Sequence, residues 1–464
     1  MPFVQSLKKH IGLVLILIAY GVVAGLFALR TPPWQAPDEP AHYNYAAQVA
    51  KAGCCPTIEI GDWDSAYLEQ IKGARFAPEL LDDLNTVQYE DHQPPLYYLL
   101  QSLMYTLTNG NLVAMRLFSA LLGIGTIICA YFIAHLLLPE RPQVVLGAAA
   151  LVAFLPQHVA ILASVNNDSL AGLEIGLTLL VILLYLKGQD NIDRVPTLVV
   201  LGVLCGLGLL TKVSTLFLVG VVAVAILLRW WSATEKKDRT QHIVSLLKTL
   251  LIFAVPVLIL GGIWWLHSIN VYGFPDIFGL RQHDLVVTDQ ARTADLIAQI
   301  GFGGYLSRAL ETTFNSFWGQ FGWMALPLPG WMYPFFLVLL VIGSSGLVVE
   351  IINGIKAFGR TTPLPEKLTS HWQFQGWLIL GLAAVLAVLA YLYYNSVFLQ
   401  LQGRYLFTGI IPFGIGIAIG VDGWQRFISG KIPSAKWLTT GVFLLLIPLD
   451  VYLILRVIEP LLRP

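Results

Sequence analysis

The run Ile11–Leu29, IGLVLILIAYGVVAGLFAL, leads straight into Pro32–Tyr45, PPWQAPDEPAHYNY. The first piece carries no charge and, at about 1.5 Å per residue, is long enough to cross a bilayer as a helix. Lys8, Lys9 and His10 precede it. This predicts a retained first span with its N-terminus inside, because a cleaved signal peptide has a shorter apolar core and a cleavage site. The second piece then sets Asp38 and Glu39 side by side at the outer surface, between Pro37 and Pro40. Pro40 suits the first turn of the helix predicted for AHYNYAAQVAKAG, where a missing N–H is no loss. The positive end of that helix favours an ionised carboxylate. The acid pair is therefore either a cap on an ordinary loop or an anionic base held at a water–membrane boundary.

Composition sets the class. Hydrophobic types make up 56% of 464 residues, charged types 12%, and the mean hydropathy is +0.70. Soluble domains carry about 25% charge, so the chain reads as an all-α polytopic membrane protein, a single integral membrane domain over 1–464. A formal net charge of zero argues against nucleic acid as a partner. Cys54 and Cys55 are adjacent and Cys129 and Cys205 lie in apolar runs, with no spacing of a metal site or disulfide framework.

Further spans are expected at about 113–138, 143–164, 168–187, 195–211, 213–231, 244–266, 330–353, 374–397, 405–425 and 437–457. Pro94–Leu107 is short and carries Tyr97, Tyr98, Gln101, Ser102 and Tyr105, which predicts a helix lying on the outer face instead of a span. About eleven spans then place Arg141, Lys187, Arg194, Lys236, Lys237, Arg239, Lys356, Arg360, Lys367, Lys431 and Lys436 in inner loops, as the positive-inside rule asks. The expected location is the plasma (inner) membrane. Two larger external segments remain, 30–112 and 267–329, both too small for a core of their own and expected to pack on the membrane part.

Polar groups gather on that outer side. Asn166, Asn167 and Asp168 stand between two spans, where Asp168 either caps a helix or lines a site. Lys212 follows Thr211 at another short outer connection, and Arg404 opens a later span within QLQGRYLF. Each also reads as a side chain anchoring to head groups. SFWGQFGWM, Ser316–Met324, is either an interfacial aromatic belt or, with Tyr97, a substrate wall built on Trp318 and Gln320. Glu174 is an intramembrane acid, explained by function or by a packed hydrogen-bonded partner.

Acids, a His, a Lys and an Arg on one membrane face suit one chemistry. A sugar carried on a lipid phosphate already has a good leaving group, which needs cations and not a general acid. The acceptor hydroxyl needs one carboxylate base, whereas a hydrolytic glycosidase wants two carboxylates across the scissile bond.

PDEPAHY, HQPPLYYLL (His92–Leu100), NND ahead of a span, GLLTK (Gly208–Lys212) and QGRYLF together resemble the GT-C superfamily of polyprenyl-phosphate-sugar-dependent glycosyltransferases. Within it the chain is most similar to a bacterial group of predicted membrane proteins, and more distantly to protein O-mannosyltransferases and the aminoarabinose transferases of lipid A. The resemblance runs from Pro32 to Phe407. It implies a GT-C-type fold, a catalytic acid at Asp38 with Glu39 beside it, and a second external acid at Asp168, next to Asn167. It implies a basic residue after the first acidic pair, for which His42 is the nearest match. Some relatives have a lysine before the proline pair, where this chain has His92 and Gln93, so Lys212 and Arg404 fit a donor phosphate better than His92 does. Metal use varies among relatives, and Asp38 with Asp168 would hold one divalent ion or none.

The implied reaction is inverting transfer of a sugar, hexosyl or pentosyl, from a polyprenyl-phosphate donor to an acceptor hydroxyl on the external or periplasmic face. The acceptor classes are a lipid-linked glycan, a cell-wall polymer or a protein. Competing readings are a ligase or polymerase of lipid-linked glycans, and a transporter or flippase of a lipid-linked sugar. Transporters show internal repeats and a charged site near mid-membrane, and neither is evident in this chain.

Overall fold

The computed structural model describes residues 10–188, 194–233, 239–359, 371–430 and 437–464. Lys8, Lys9, Lys236, Lys237, Arg360, Lys367, Lys431 and Lys436 lie outside them, as do the side chains of Arg194 and Arg239.

Helix α1 (Ile11–Arg30) is followed by α2 (Glu39–Ala52), α3 (Ser65–Gly73) and α4 (Leu96–Leu107), which belong to the first long connection. Then come α5 (Leu112–Leu137), α6 (Pro142–Phe154), α7 (Pro156–Leu162), α8 (Asp168–Lys187), α9 (Arg194–Thr211), α10 (Phe217–Ala233) and α11 (Arg239–Tyr272). The second long connection holds α12 (Leu280–Val286) and α13 (Thr293–Trp318). Helices α14 (Met332–Gly359), α15 (Trp372–Val397) and α16 (Ile410–Ser429) and a broken terminal span, Leu438–Leu462, complete the chain. The described strands are Gln320–Phe321 and Leu326–Pro327, paired antiparallel with Gln320 opposite Pro327.

Among the described residues, nine helices are long and apolar enough to cross a membrane. The bent pair α6–α7 makes a tenth if it is one span, and Val195–Thr211, at the eleventh expected position, is a shorter apolar helix. The expected span 143–164 is not straight. It bends by 60° between α6 and α7, where Pro156 supplies no N–H to continue the ladder. Helices α14 and α16 meet backbone to backbone: a Cβ on Gly346 would collide with the Gly420 carbonyl, and one on Gly420 with the Gly343 carbonyl. Small residues permit such approach where lipid offers no hydrophobic drive for association.

The two long connections lie at one end of the bundle and bury a small core between them. Ile58, Ile71, Phe76 and Val87 from the first pack with Val286 and Val287 from the second. Trp63 Nε1 donates to the Thr288 carbonyl at 3.0 Å, and the Ile58 amide to the Tyr272 hydroxyl at 3.1 Å. The segments thus support each other, which their lengths taken singly do not suggest. Helix α4 turns its polar face inward. Tyr97, Tyr98, Gln101 and Ser102 are buried, while Leu103 and Leu107 are exposed, an orientation suited to a helix at a lipid surface.

Candidate active site

Asp38 stands between α1 and α2 with φ 65° and ψ 0°, a left-handed conformation that costs a non-glycine residue about 1–3 kcal/mol. Its carboxylate does not cap α2. It turns instead across the fold, where the Tyr89 hydroxyl donates to Oδ1 at 2.8 Å and Arg404 Nη2 donates to Oδ2. Arg404 sits in the short turn Gly403–Gly409 ahead of α16, 5% exposed, and its Nε donates to Gln402 Oε1 at 2.8 Å. Burial pushes the Asp38 carboxyl up, but the Arg404 and His42 charges, with hydrogen bonds from Arg404 and Tyr89, outweigh it and hold the pKa at about 2.

A second cation–carboxylate pair lies beside the first. Asp168 opens α8, and its Oδ1 accepts from Lys212 Nζ at 2.5 Å. Asn167 takes the N-cap position without a side-chain cap bond, so Asp168 serves the ion pair and not the helix end. The charges of Glu90, Asp38, Lys212 and Asp168 all act on His42, which places the two pairs around one chamber.

Glu39 has a different place. Arg116 Nε donates to its Oε1 at 2.7 Å and Nη2 to its Oε2 at 2.5 Å. The Val165 amide reaches Oε1 and the Trp34 amide Oε2, each at 3.2 Å. Arg116 also donates to the carbonyls of Ala28, Thr31 and Pro32. Glu39 is fully buried and both its oxygens are taken. It fastens α2 to α1 and α5 and leaves Asp38 as the acid facing the chamber.

Above the pairs, His42 Nδ1 and the Tyr98 hydroxyl are 2.7 Å apart, and Asn167 Nδ2 donates to the same hydroxyl at 3.4 Å. Burial lowers the His42 pKa against the opposing charges of Glu90 and Asp38. Glu90 is raised, by burial first, with His42 pulling the other way.

Several expected contacts are reassigned. His92 does not offer a cation to phosphate: its Nδ1 lies 3.1 Å from the Tyr89 carbonyl, its ring is 4.3 Å from that of His283, and burial lowers its pKa to about 4. Tyr97 is no wall, because its buried hydroxyl is bonded by Ser119, Gln101 and the Asn166 amide. Gln320 donates to the Met324 carbonyl within its own turn. Trp318 is fully buried and stacked on Phe336 at 4.5 Å, at the edge of the cavity described below. Glu174 has the packed partner, Thr211, at 2.9 Å. Cys54 and Cys55, with no framework spacing, are joined to each other as a disulfide.

The donor set does not fit a divalent cation. Asp38 is occupied by Arg404 and Tyr89 and Asp168 by Lys212, and among the described residues no group of three or more His, Cys, Asp or Glu side chains is arranged to hold a metal.

Sequence reading missed Arg116, Tyr89, Tyr98 and Glu90. The lone arginine of α5 was a signal, since a charge inside a span needs a partner. So was Glu90-Asp91 directly ahead of His92.

An apolar cavity of about 1580 Å³ runs between α13, α14, α15 and α16. Asn395, Leu401 and Leu406 bound it at the Arg404 end, and Arg141, Glu350 and His371 at the other.

Residues 52–272 match the family described as dolichyl-phosphate-mannose-protein mannosyltransferase. The fold is similar to that of ArnT from Cupriavidus metallidurans, solved bound to undecaprenyl phosphate, with a TM-score of 0.53 and 15% identity over 97% of this chain and 73% of ArnT. A likeness to the Archaeoglobus fulgidus oligosaccharyltransferase, solved with zinc and sulfate, has a TM-score of 0.48 and 13% identity over 96% of this chain and 53% of that one. No curated protein matches the chain in sequence. The fold shared with ArnT and the family match define a polytopic membrane protein of the GT-C type. Over residues 52–272 the chain is similar to that mannosyltransferase family, and its fold is similar to that of ArnT.

Proposed function

We propose that the protein is an inverting glycosyltransferase that moves a sugar from a polyprenyl-phosphate donor to an acceptor hydroxyl on the external membrane face. One observation carries the reading: the Arg404–Asp38 and Lys212–Asp168 pairs face one chamber, beside a membrane-deep apolar cavity that suits a lipid chain. The family match and the ArnT fold, solved with undecaprenyl phosphate, support a lipid-phosphate donor.

In the free protein both cations are held by carboxylates. A donor phosphate competes for them, and charge-assisted bonds from Arg404 and Lys212 to its oxygens replace the two internal pairs. As Arg404 turns to phosphate, Asp38 loses the charge that holds its carboxyl near 2 and becomes a stronger base when donor is bound. Asp38 takes the proton of the acceptor hydroxyl, whose oxygen attacks the anomeric carbon from the face opposite the phosphate. The bond from that carbon to the phosphate oxygen breaks, and its electron pair leaves on polyprenyl phosphate. The second negative charge that develops there is stabilised by Arg404 and Lys212. The new glycosidic bond has inverted configuration.

The test is incubation of purified protein in liposomes with radiolabelled undecaprenyl-phosphate sugars and cell-envelope lipids, comparing wild type with Asp38→Asn. Label should move to a new acceptor with wild type alone, while both proteins bind donor. Full activity in Asp38→Asn removes Asp38 as the base. Labelled lipid crossing the bilayer with no donor consumed overturns the transferase reading.

A further inference from the structure

Two buried acceptor oxygens in the chamber have no hydrogen-bond donor. They are Glu90 Oε2 and Asn167 Oδ1. An acceptor left bare in this way forfeits about 1–3 kcal/mol unless something else donates to it. Both belong to the group around the Tyr98 hydroxyl: Asn167 Nδ2 reaches that hydroxyl, and the Glu90 charge acts on Tyr98 and on His42.

The same group supplies a donor. Asn167 Nδ2 can only donate, so the Tyr98 oxygen accepts from it, and the same hydroxyl shares a hydrogen bond with His42 Nδ1 whose direction is set by the imidazole tautomer. In the tautomer where the hydroxyl donates, a neutral His42 carries its hydrogen on Nε2. The group thus offers two unpartnered acceptor oxygens and, in that tautomer, one N–H. Phosphate oxygens only accept, so this set is wrong for phosphate. Hydroxyls both donate and accept, so it suits a polyol.

We propose that Glu90, Asn167 and His42 form a subsite for the hydroxyls of the transferred sugar, next to the Arg404 and Lys212 phosphate contacts. This rests on the reading of the protein as a lipid-phosphate glycosyltransferase and moves His42 from phosphate to sugar. Glu90 accepts from one or two sugar hydroxyls, Asn167 Oδ1 from another, and His42 Nε2 donates to a hydroxyl oxygen. The acid–amide–imidazole set then selects the sugar, while the cations read only the carrier.

The experiment measures binding of undecaprenyl phosphate, bare and carrying mannose, glucose, galactose or N-acetylglucosamine, to wild type, Glu90→Gln and Asn167→Ala in nanodiscs, with melting temperature as the control for folding. Wild type should bind one sugar-bearing donor more tightly than the bare carrier. Glu90→Gln should weaken that donor by about tenfold or more and leave the bare carrier unchanged, since a bond to a charged acceptor is lost and no phosphate contact is touched. A deoxy analogue of the preferred sugar that weakens wild type should cost Glu90→Gln or Asn167→Ala nothing further, which a merely structural role would not produce. Equal weakening of bare and sugar-bearing lipid, or no weakening of either, overturns the subsite. So does a wild type for which no sugar adds affinity. Failure of wild type to bind even bare undecaprenyl phosphate overturns the lipid-phosphate reading itself.

Discussion

Arg404 and Asp38, 366 positions apart in the chain, meet in an ion pair whose second carboxylate oxygen is closed by the Tyr89 hydroxyl. The pair ties the start of α2 to the turn ahead of α16, so both ends of the chain must be folded before the chamber exists. It also fixes what acid does. The Asp38 pKa is about 2 against an ordinary 3.8, so the pair contributes stability that is complete above 3.8 and is lost as pH falls from there toward 2.

Arg404→Gln leaves burial as the largest influence on Asp38, and burial raises a carboxyl. The acid limb of the kcat/KM profile should therefore move upward by more than one pH unit in the variant, and donor affinity should fall with the lost cation. Profiles that differ in height only, with no shift of the limb, would show that Asp38 does not titrate in the rate.

Glu39 and Arg116 make a different kind of pair, 0% and 2% exposed. Removing one partner strands a buried charge, which costs about 3–5 kcal/mol. Arg116→Met should lower the melting temperature strongly and take activity with it, because Asp38 precedes Glu39 in the chain. The double variant Glu39→Gln/Arg116→Met should recover part of the stability. A single variant that melts like wild type would remove the pair as the fastening of α2.

The fold was legible because spans, their charge asymmetry and the short polar α4 are properties of contiguous sequence. Asp38, Asp168, Lys212 and Arg404 were legible for a related reason: each is a charge at the end of an apolar run, and the topology assigns all four to one side. What stayed hidden was pairing. Asp38 and Glu39 look equivalent in the sequence, and only the arginine inside α5 separates them, by occupying one. Gln320 and Tyr97 were read from residue type alone, and type does not say whether a ring or an amide faces a cavity or a neighbouring helix. The cavity itself is formed by four helices drawn from residues far apart, and no local pattern marks it.

His92 and His283 bring the two long connections together, ring against ring at 4.3 Å. Burial depresses their pKa values to about 4 and about 3, and His92 lowers His283 further. The unfolded chain takes up protons near 6.5, before the folded chain does, so stability is complete above 6.5 and declines as pH falls from there toward 4 and below. Melting temperature should drop through that window, and His283→Gln should flatten the decline. An unchanged slope in the variant would mean that the loss arises elsewhere.

The cavity between α13 and α16 offers a test that leaves the chamber untouched. Gly381 lines it on α15, and a Cβ there meets nothing within 4 Å, so Gly381→Phe puts a ring into the cavity without displacing a helix. Gly441 in the terminal span is equally open and lies away from the cavity lining, which makes Gly441→Phe the control. If the cavity holds the lipid chain of the donor, Gly381→Phe should raise KM for an undecaprenyl-phosphate sugar on the order of tenfold, equivalent to about 1.4 kcal/mol of lost chain contact. It should do little to a short neryl-phosphate sugar, which presents the same phosphate and sugar with too little chain to reach the ring. Equal effects on both donors would mean that the ring disturbs the chamber. No effect on either would place the lipid chain outside the cavity, along another face of the bundle.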